Sequence, residues 1–413
     1  MGLRSLTSVA DACAALQAVT PRLTSQRVPL QRARGRYLAD DVYATQAMPQ
    51  APRSAMDGFA VRAVDVAHAC RAMPVRLSIV GEVVAGAQYE GTLLAGQAVR
   101  IPTGGCLPAG TDAIVPVENV VVQGAYAAVV VPSAAGRHVV AAGDDVRVGQ
   151  ALLAQGQRLY APQMAVLAAA GHPHVNVAAQ PRVTLFSSGA EVCPPEQAPT
   201  PAQVRDVNQT LLGALCEAAG ALVTYGGIIA DELAALTQAI EAAVTTSDVI
   251  LLSAGTSVGV RDFAAAAVAA VPGTRLLFHG VNMRPGKPTL AAYRPGPPPV
   301  FICGLPGFPM SATVAFAVFV APVLARLQGG AGHERTPPAV AILTEPYQSS
   351  VGREDYVRVA LTTQPDGPPL ATPLSAGPAL VTGLLQMEGF VKVRPETETL
   401  PAGALVHVLP LDL

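Results

Sequence analysis

Between residues 180 and 329, short apolar runs alternate with alanine-rich stretches of helical character, and that rhythm constrains the chain more than any other feature. The runs are Val183-Thr-Leu-Phe, Leu222-Val-Thr-Tyr, Val249-Ile-Leu-Leu and Val300-Phe-Ile-Cys. Strands that are apolar on consecutive positions, not on alternate ones, belong to sheets covered on both faces. The stretch Leu211-Leu-Gly-Ala-Leu-Cys-Glu-Ala-Ala-Gly220 between the first two reads as a helix closed by glycine. Strand, helix and strand in succession predict a doubly wound parallel sheet, whose ligands bind at the C-terminal ends of its strands.

The remaining chain has other textures, and 38 glycines and 37 prolines punctuate it into modules. Residues 1–46 open with a helix carrying Val9, Ala12 and Leu16 on one face, and in residues 140–179 helix and strand signals resume, with 162–171 reading as a short helix closed by glycine. Residues 47–139 hold β-rich runs at 75–80, 98–101 and 127–131 between turns, the pattern of an inserted small β-barrel or sandwich. Residues 330–413 return to short strands and frequent turns, a second β domain.

Composition excludes several classes. With 27 Lys+Arg against 29 Asp+Glu, net charge −2, there is no basic stripe for nucleic acid. No run approaches the roughly 18 uninterrupted apolar residues of a membrane span. The opening MGLRSLTSVADACAAL breaks its apolar positions with Ser, Thr and Asp, so it reads as an amphipathic helix and not as a signal, which points to the cytoplasm. The six cysteines show no CxxC spacing, so neither a zinc ribbon nor a disulfide framework is expected. His172 and His174 flank Pro173 without a third partner and read as structural.

The densest chemistry lies between Gly280 and Ala312. Met283-Arg-Pro-Gly-Lys-Pro288 presents Arg284 and Lys287 on a loop whose φ is set at two prolines. Cys303-Gly-Leu-Pro-Gly-Phe-Pro-Met-Ser-Ala312 follows an apolar strand and places Pro309 where a first helical turn tolerates it, with the N–H groups of that turn pointing outward. Together the two loops suggest an anion site, although each alone also fits an ordinary strand-to-helix turn. Glu191, Asp231 and Asp262 follow strands or turns where such a sheet opens, and Asp57 sits in a separate β-side loop. Local alternatives stay open: Asp231 and Asp262 both suit a helix N-cap, and Asp57-Gly58 is a common turn dipeptide.

The order of motifs along the chain resembles the molybdopterin molybdenumtransferases, the MoeA and gephyrin E-domain family. The resemblance rests on Ser54-Ala-Met-Asp-Gly-Phe-Ala, Arg100-Ile-Pro-Thr-Gly-Gly with Pro108-Ala-Gly-Thr-Asp112-Ala and Glu118, Gly143-Asp-Asp145, and Ser188-Gly-Ala-Glu191. It continues through Asp206-Val-Asn208, Gly255-Thr-Ser-Val-Gly259 with Asp262, Arg284-Pro-Gly-Lys-Pro288 and Leu305-Pro-Gly-Phe-Pro309.

That resemblance implies a multidomain α/β plus β fold: a MogA-like parallel-sheet domain, an inserted β domain, a C-terminal β-barrel, and an elongated N-terminal part in which residues 1–46 pack with residues 140–179. It implies molybdenum cofactor biosynthesis, in which molybdate enters adenylylated molybdopterin and AMP is released with Mg²⁺. Asp57, Thr103, Glu191, Asp231, Asp262 and Lys287 would be catalytic, with Glu191, Asp231 and Asp262 holding the metal. Ser188, Gly189, Gly255, Ser257, Gly259, Arg284, Lys287, Pro306 and Pro309 would bind the pterin, phosphate or oxyanion. Asp57 and Thr103 would reach the pocket from a second subunit, which implies a homodimer, with a molybdopterin adenylyltransferase and molybdoenzymes as further partners and neither nucleic acid nor membrane. The chain departs from the family pattern at Val140, Ala190, Ala254, Phe308 and Arg284. Those departures motivate one alternative, a catalytically weakened paralogue that binds molybdopterin or a cofactor-assembly partner. A nucleotide-dependent oxidoreductase is disfavoured, because Gly255–Gly259 is not GxGxxG.

Overall fold

A computed structural model of the chain describes residues 6–253, 263–330, 339–374 and 381–410. The chain divides into two compact units, one of residues 1–40, 155–160 and 174–413, the other of residues 41–154 and 161–173.

In the first unit, six strands lie in the order Leu222–Ile229, Arg182–Ser188, Val249–Ser253, Val300–Leu305, Leu290–Arg294, Arg275–His279. The first four are mutually parallel. Leu290–Arg294 runs antiparallel to both of its neighbours, Val300–Leu305 and Arg275–His279, so the sheet is mixed at one edge where the sequence pointed to a purely parallel one. Short loops account for this, since antiparallel neighbours need no crossover helix.

Every residue of Val249–Ser253 and Val300–Leu305 is buried, because side chains alternate into two cores. Val183, Leu185, Leu251, Phe301 and Cys303 face one core, formed with the helices Val9–Val19, Asn208–Ala218 and Pro309–Leu327. Phe186, Ile250, Leu252 and Ile302 face the other, against Leu233–Ala243 and Phe263–Ala270. Burial of Val9, Ala12 and Leu16 follows the expected face of the first helix.

Helix Pro309–Leu327 is long and apolar enough by length and composition to cross a membrane, yet 72% of it is buried inside the protein. It includes a π-helical stretch, Phe316–Val320, in its middle. In this chain it is a core helix.

The C-terminal strands close on themselves. Glu354–Thr362 pairs with Leu370–Pro373, which pairs in turn with Ala339–Leu343, then Leu405–Pro410, then Gly389–Val393, and that strand returns to Glu354–Thr362. Val357, Val359, Val391, Val406 and Val408 fill this five-stranded barrel. A sixth, two-residue strand, Met283–Arg284, runs parallel to Glu354–Asp355 at its rim.

The second unit holds one six-stranded sheet in the order Ala113–Pro116, Gly58–Val61, Gln97–Ile101, Val75–Glu82, Tyr126–Val129, Val120–Gln123. The two end strands are consecutive in the chain, joined only by Val117–Asn119, so the sheet has to curl until its ends meet. Phe59, Val61, Leu77, Val115 and Val129 pack together on one face. Gly58 is required here: a Cβ would stand 2.1 Å from the Val115 carbonyl oxygen.

Candidate functional site

At the C-terminal ends of the parallel strands lies a cavity of about 540 Å³. It opens where the strand order reverses: from Arg182–Ser188 the chain crosses outward to Leu222–Ile229, then returns to the opposite side at Val249–Ser253. Crevices at such a switch point are where open α/β sheets bind ligands.

Three serines and an asparagine make its polar wall. Ser187 and Ser253 end neighbouring strands and face each other in register. Asn208 Nδ2 donates to Ser253 Oγ at 2.7 Å and to the Gly307 carbonyl at 2.7 Å, tying the start of the 208–218 helix to the ends of two strands. Ser188 Oγ donates to Asp231 Oδ1 at 3.2 Å. Asp206 holds the first turn of the 208–218 helix, with Oδ1 accepting from the Asn208 and Gln209 backbone N–H groups at 3.0 and 3.2 Å. The rest of the lining is mostly apolar, with Val192, Val204, Pro288, Pro306, Phe308 and Pro309. Arg205 lines the cavity too, but its Nε donates to the carbonyls of Pro195 and Gln197.

Several expected residues gather here. Ser188, Glu191, Pro306 and Pro309 line the cavity, and Gly189 turns the chain between two of them at φ +146°. A Cβ on Gly189 would come within 2.9 Å of Glu191 Oε1, so glycine lets that carboxylate pack over the turn. Asp231 is not the N-cap that its local sequence suggested. Glu232 takes that position for the 233–243 helix, without a side-chain bond, and Asp231 is left to accept from Ser188. Asp262, Gly255, Ser257, Gly259 and Ala254 lie outside the described residues.

Pro309 does open a helix, with Phe308 as an N-cap that makes no side-chain bond. Arg284 and Lys287 are exposed, and it is their neighbour Pro288 that enters the lining. A cation the sequence reading did not single out accompanies them. Arg358, on the barrel, contacts Met310 Sδ at 2.7 Å in the first turn of the 309–327 helix. Burial holds its guanidinium below the usual value, and the charge of Arg284 adds to that effect.

In the second unit Asp57 and Thr103 meet. Asp57 Oδ1 accepts from the Thr103 backbone N–H at 2.6 Å and from its hydroxyl at 2.9 Å. These bonds, the backbone one first, hold the Asp57 carboxyl below the usual carboxylate range. Val140 pairs with Arg53 in a two-residue ladder next to the same Ser54–Gly58 loop.

Among the described residues no three acid, histidine or cysteine side chains gather as a metal centre. Glu191 and Asp231 nevertheless approach the Ser188–Gly189 turn, one packed over it and the other bonded to it. Carboxylates and hydroxyls at one turn are the hard oxygen donors that Mg²⁺ takes, and Mg²⁺ needs only one or two protein carboxylates.

Family models match nearly the whole chain. That for the MoeA N-terminal region (domain I and II) covers residues 7–171, the probable molybdopterin binding domain covers 184–326, and the MoeA C-terminal region (domain IV) covers 340–411. The molybdopterin molybdenumtransferase of Nostoc sp. is 36% identical over 355 residues, 85% of this chain and 81% of that protein. Its Bacillus subtilis counterpart is 33% identical over 392 residues, 92% of this chain and 89% of the other. A solved molybdopterin biosynthesis MoeA protein from Pyrococcus horikosii superimposes with a TM-score of 0.83 at 31% identity, covering 98% of this chain and 99% of its own.

Proposed function

This chain belongs to the molybdopterin molybdenumtransferase family, and from that premise we propose that it transfers molybdenum from molybdate to adenylylated molybdopterin and releases AMP. It is an enzyme of molybdenum cofactor biosynthesis. The observation that carries the reading is the cavity of about 540 Å³ at the switch point, whose lining, Val381 apart, lies within the residues matched by the molybdopterin-binding family model. Its size and its few polar groups on an otherwise apolar lining suit a small-molecule site.

The chain's own groups divide the work. Ser187, Ser188 and the first turn of the 208–218 helix receive the substrate at the strand ends. Lys287 and Arg284, with Arg358 behind them, supply positive charge for molybdate and for the phosphate oxygens that become more anionic as AMP leaves. The first N–H groups of the 309–327 helix add partial positive charge beside them. Glu191 and Asp231, with Asp262, would hold a Mg²⁺, which neutralises charge on the leaving phosphate. Asp57 and Thr103 we assign to the site of a second copy, so the active form is a homodimer in the cytoplasm. The four-part division read from the sequence, 1–46 with 140–179, 47–139, 180–329 and 330–413, is retained as part of this proposal.

The weakened-paralogue alternative draws on the departures at Ala190, Ala254, Val140, Phe308 and Arg284, while similarity to named transferases runs over most of the chain. Reconstitution tests the choice. A cofactor-free molybdoenzyme given adenylylated molybdopterin, micromolar molybdate and this protein should become active, and the Lys287→Ala protein should need about tenfold more molybdate or worse, the loss expected from one charge-assisted hydrogen bond. Failure of the wild-type protein to activate the acceptor at any molybdate concentration would refute the transferase reading.

A further inference from the structure

The geometry points to Asn208 and Ser187 as the residues that read the hydrogen-bond-donating edge of the pterin ring, with Asp206 as the positioning residue that aims Asn208; this rests on the molybdopterin reading above. Asn208 is 6% exposed and Ser187 2%, and both line the cavity. The carbonyl of Gly307 only accepts, so the Asn208 atom 2.7 Å from it is the amide nitrogen, and that nitrogen also serves Ser253. Orientation of the carboxamide is thereby determined. Among the described residues its Oδ1 has no partner, and neither has Ser187 Oγ across the strand pair from Ser253.

A buried polar atom without a partner is costly, and two in the lining of one cavity ask for a common explanation. A carboxamide oxygen accepts and cannot donate, so the group that satisfies it must carry N–H or O–H. Molybdate and ionised phosphate present acceptors only, so neither can satisfy Asn208 Oδ1. Val204, Pro306 and Phe308 offer apolar surface to a flat ring. The pterin, with its amino group and ring N–H, supplies donors and a flat face together. Its phosphate end then points away from this wall, toward the exposed Arg284 and Lys287.

Asp206 makes the arrangement rigid. Its Oδ1 binds the backbone N–H of Asn208 and its Oδ2 accepts from Gln209 Nε2 at 2.8 Å, so the residue carrying the carboxamide is held at the helix start.

The full-length protein is titrated with molybdopterin released anaerobically from a molybdoenzyme, and separately with AMP. Ser187→Ala removes a hydroxyl that has no partner among the described residues, so the thermal midpoint should hold or rise. Its molybdopterin affinity should fall about three- to tenfold, the scale of one neutral hydrogen bond, with AMP affinity unchanged. Asn208→Ala should lose about tenfold or more in the same selective way. Asp206→Ala should lose molybdopterin affinity with AMP affinity kept, and Asp206→Asn, which retains the accepting oxygen, should restore part of it. A general loss of structure would lower both affinities. Wild-type molybdopterin affinity in both Ser187→Ala and Asn208→Ala, or equal losses for AMP, would overturn the assignment. Failure of the wild-type protein to bind molybdopterin at all would instead overturn the reading on which it rests.

Discussion

Asp57 owes its low pKa to Thr103, and the two bonds can be separated. Because the folded value lies below the unfolded one, the interaction stabilises the fold above the ordinary carboxylate range and is lost as pH falls through the folded value. Thr103→Val keeps the backbone N–H, the larger cause, and removes the hydroxyl. The Asp57 titration, followed by NMR of the carboxyl carbon, should therefore move up in Thr103→Val but remain below about 3.9, the reference value of an unperturbed aspartate. A full return to the reference value would mean the backbone bond is absent in solution. Gly189 makes a second test at this scale. With φ at +146° and Glu191 Oε1 2.9 Å from where a Cβ would go, Gly189→Ala should displace the carboxylate and cost about 1–3 kcal/mol. Denaturant titration would detect that loss, and an unchanged midpoint would contradict the tight turn. Of these residues the sequence showed Asp57, Thr103 and Glu191 as candidates. The Ser187, Ser253 and Asn208 wall was not legible in the same way. Asp206-Val-Asn208 stood out only as a motif of the resemblance, and the wall's members come from two strands and a helix start that meet through strand register and helix packing, for which no local pattern exists.

Among the elements, the 309–327 helix shows both success and its limit. Pro309 at its start could be read from the chain, since proline fits the first helical turn. The π-helical Phe316–Val320 could not, because every residue there is an ordinary apolar helix residue and the extra turn arises from packing. Phe308 has N-cap geometry, φ −74° and ψ 125°, but no side-chain acceptor for the free N–H groups. It is 55% exposed, so replacing it removes little burial. Phe308→Asn should consequently stabilise the protein by about 0.5–2 kcal/mol through a new cap bond. A shift of the denaturation midpoint to higher denaturant with the slope unchanged would bear this out, and destabilisation would show that the phenyl ring packs more than its exposure indicates. The antiparallel strand Arg275–His279 escaped the sequence reading because it is an edge strand with only Phe278 fully buried. Asp231 misled for a simpler reason. Two adjacent acids precede the 233–243 helix, and the second occupies the cap position.

For the whole molecule, the succession of textures along the chain was enough to place an α/β sheet between β-rich modules, since hydrophobic period separates strands from helices. Closure of the C-terminal barrel depended on pairings between strands far apart in the chain, which no short window contains. The proposed sharing of Asp57 and Glu191 between two copies has its own test. Inactive Asp57→Asn and inactive Glu191→Gln chains, mixed at equal amounts and allowed to pair at random, should recover about a quarter of the sites, because half the dimers are mixed and one of the two sites in each is intact. Verified mixed dimers without activity would place both residues in one chain's site. The central claim, that molybdenum insertion and AMP release are one coupled event in this protein, is tested most directly by single turnover. Protein in excess over adenylylated molybdopterin, with Mg²⁺ and saturating molybdate, is quenched at intervals and assayed for AMP and for cofactor able to activate an acceptor enzyme. The account predicts equal amounts of the two at every time point, with neither formed by Glu191→Gln. AMP appearing without active cofactor, or substrate bound with neither product formed, would contradict it.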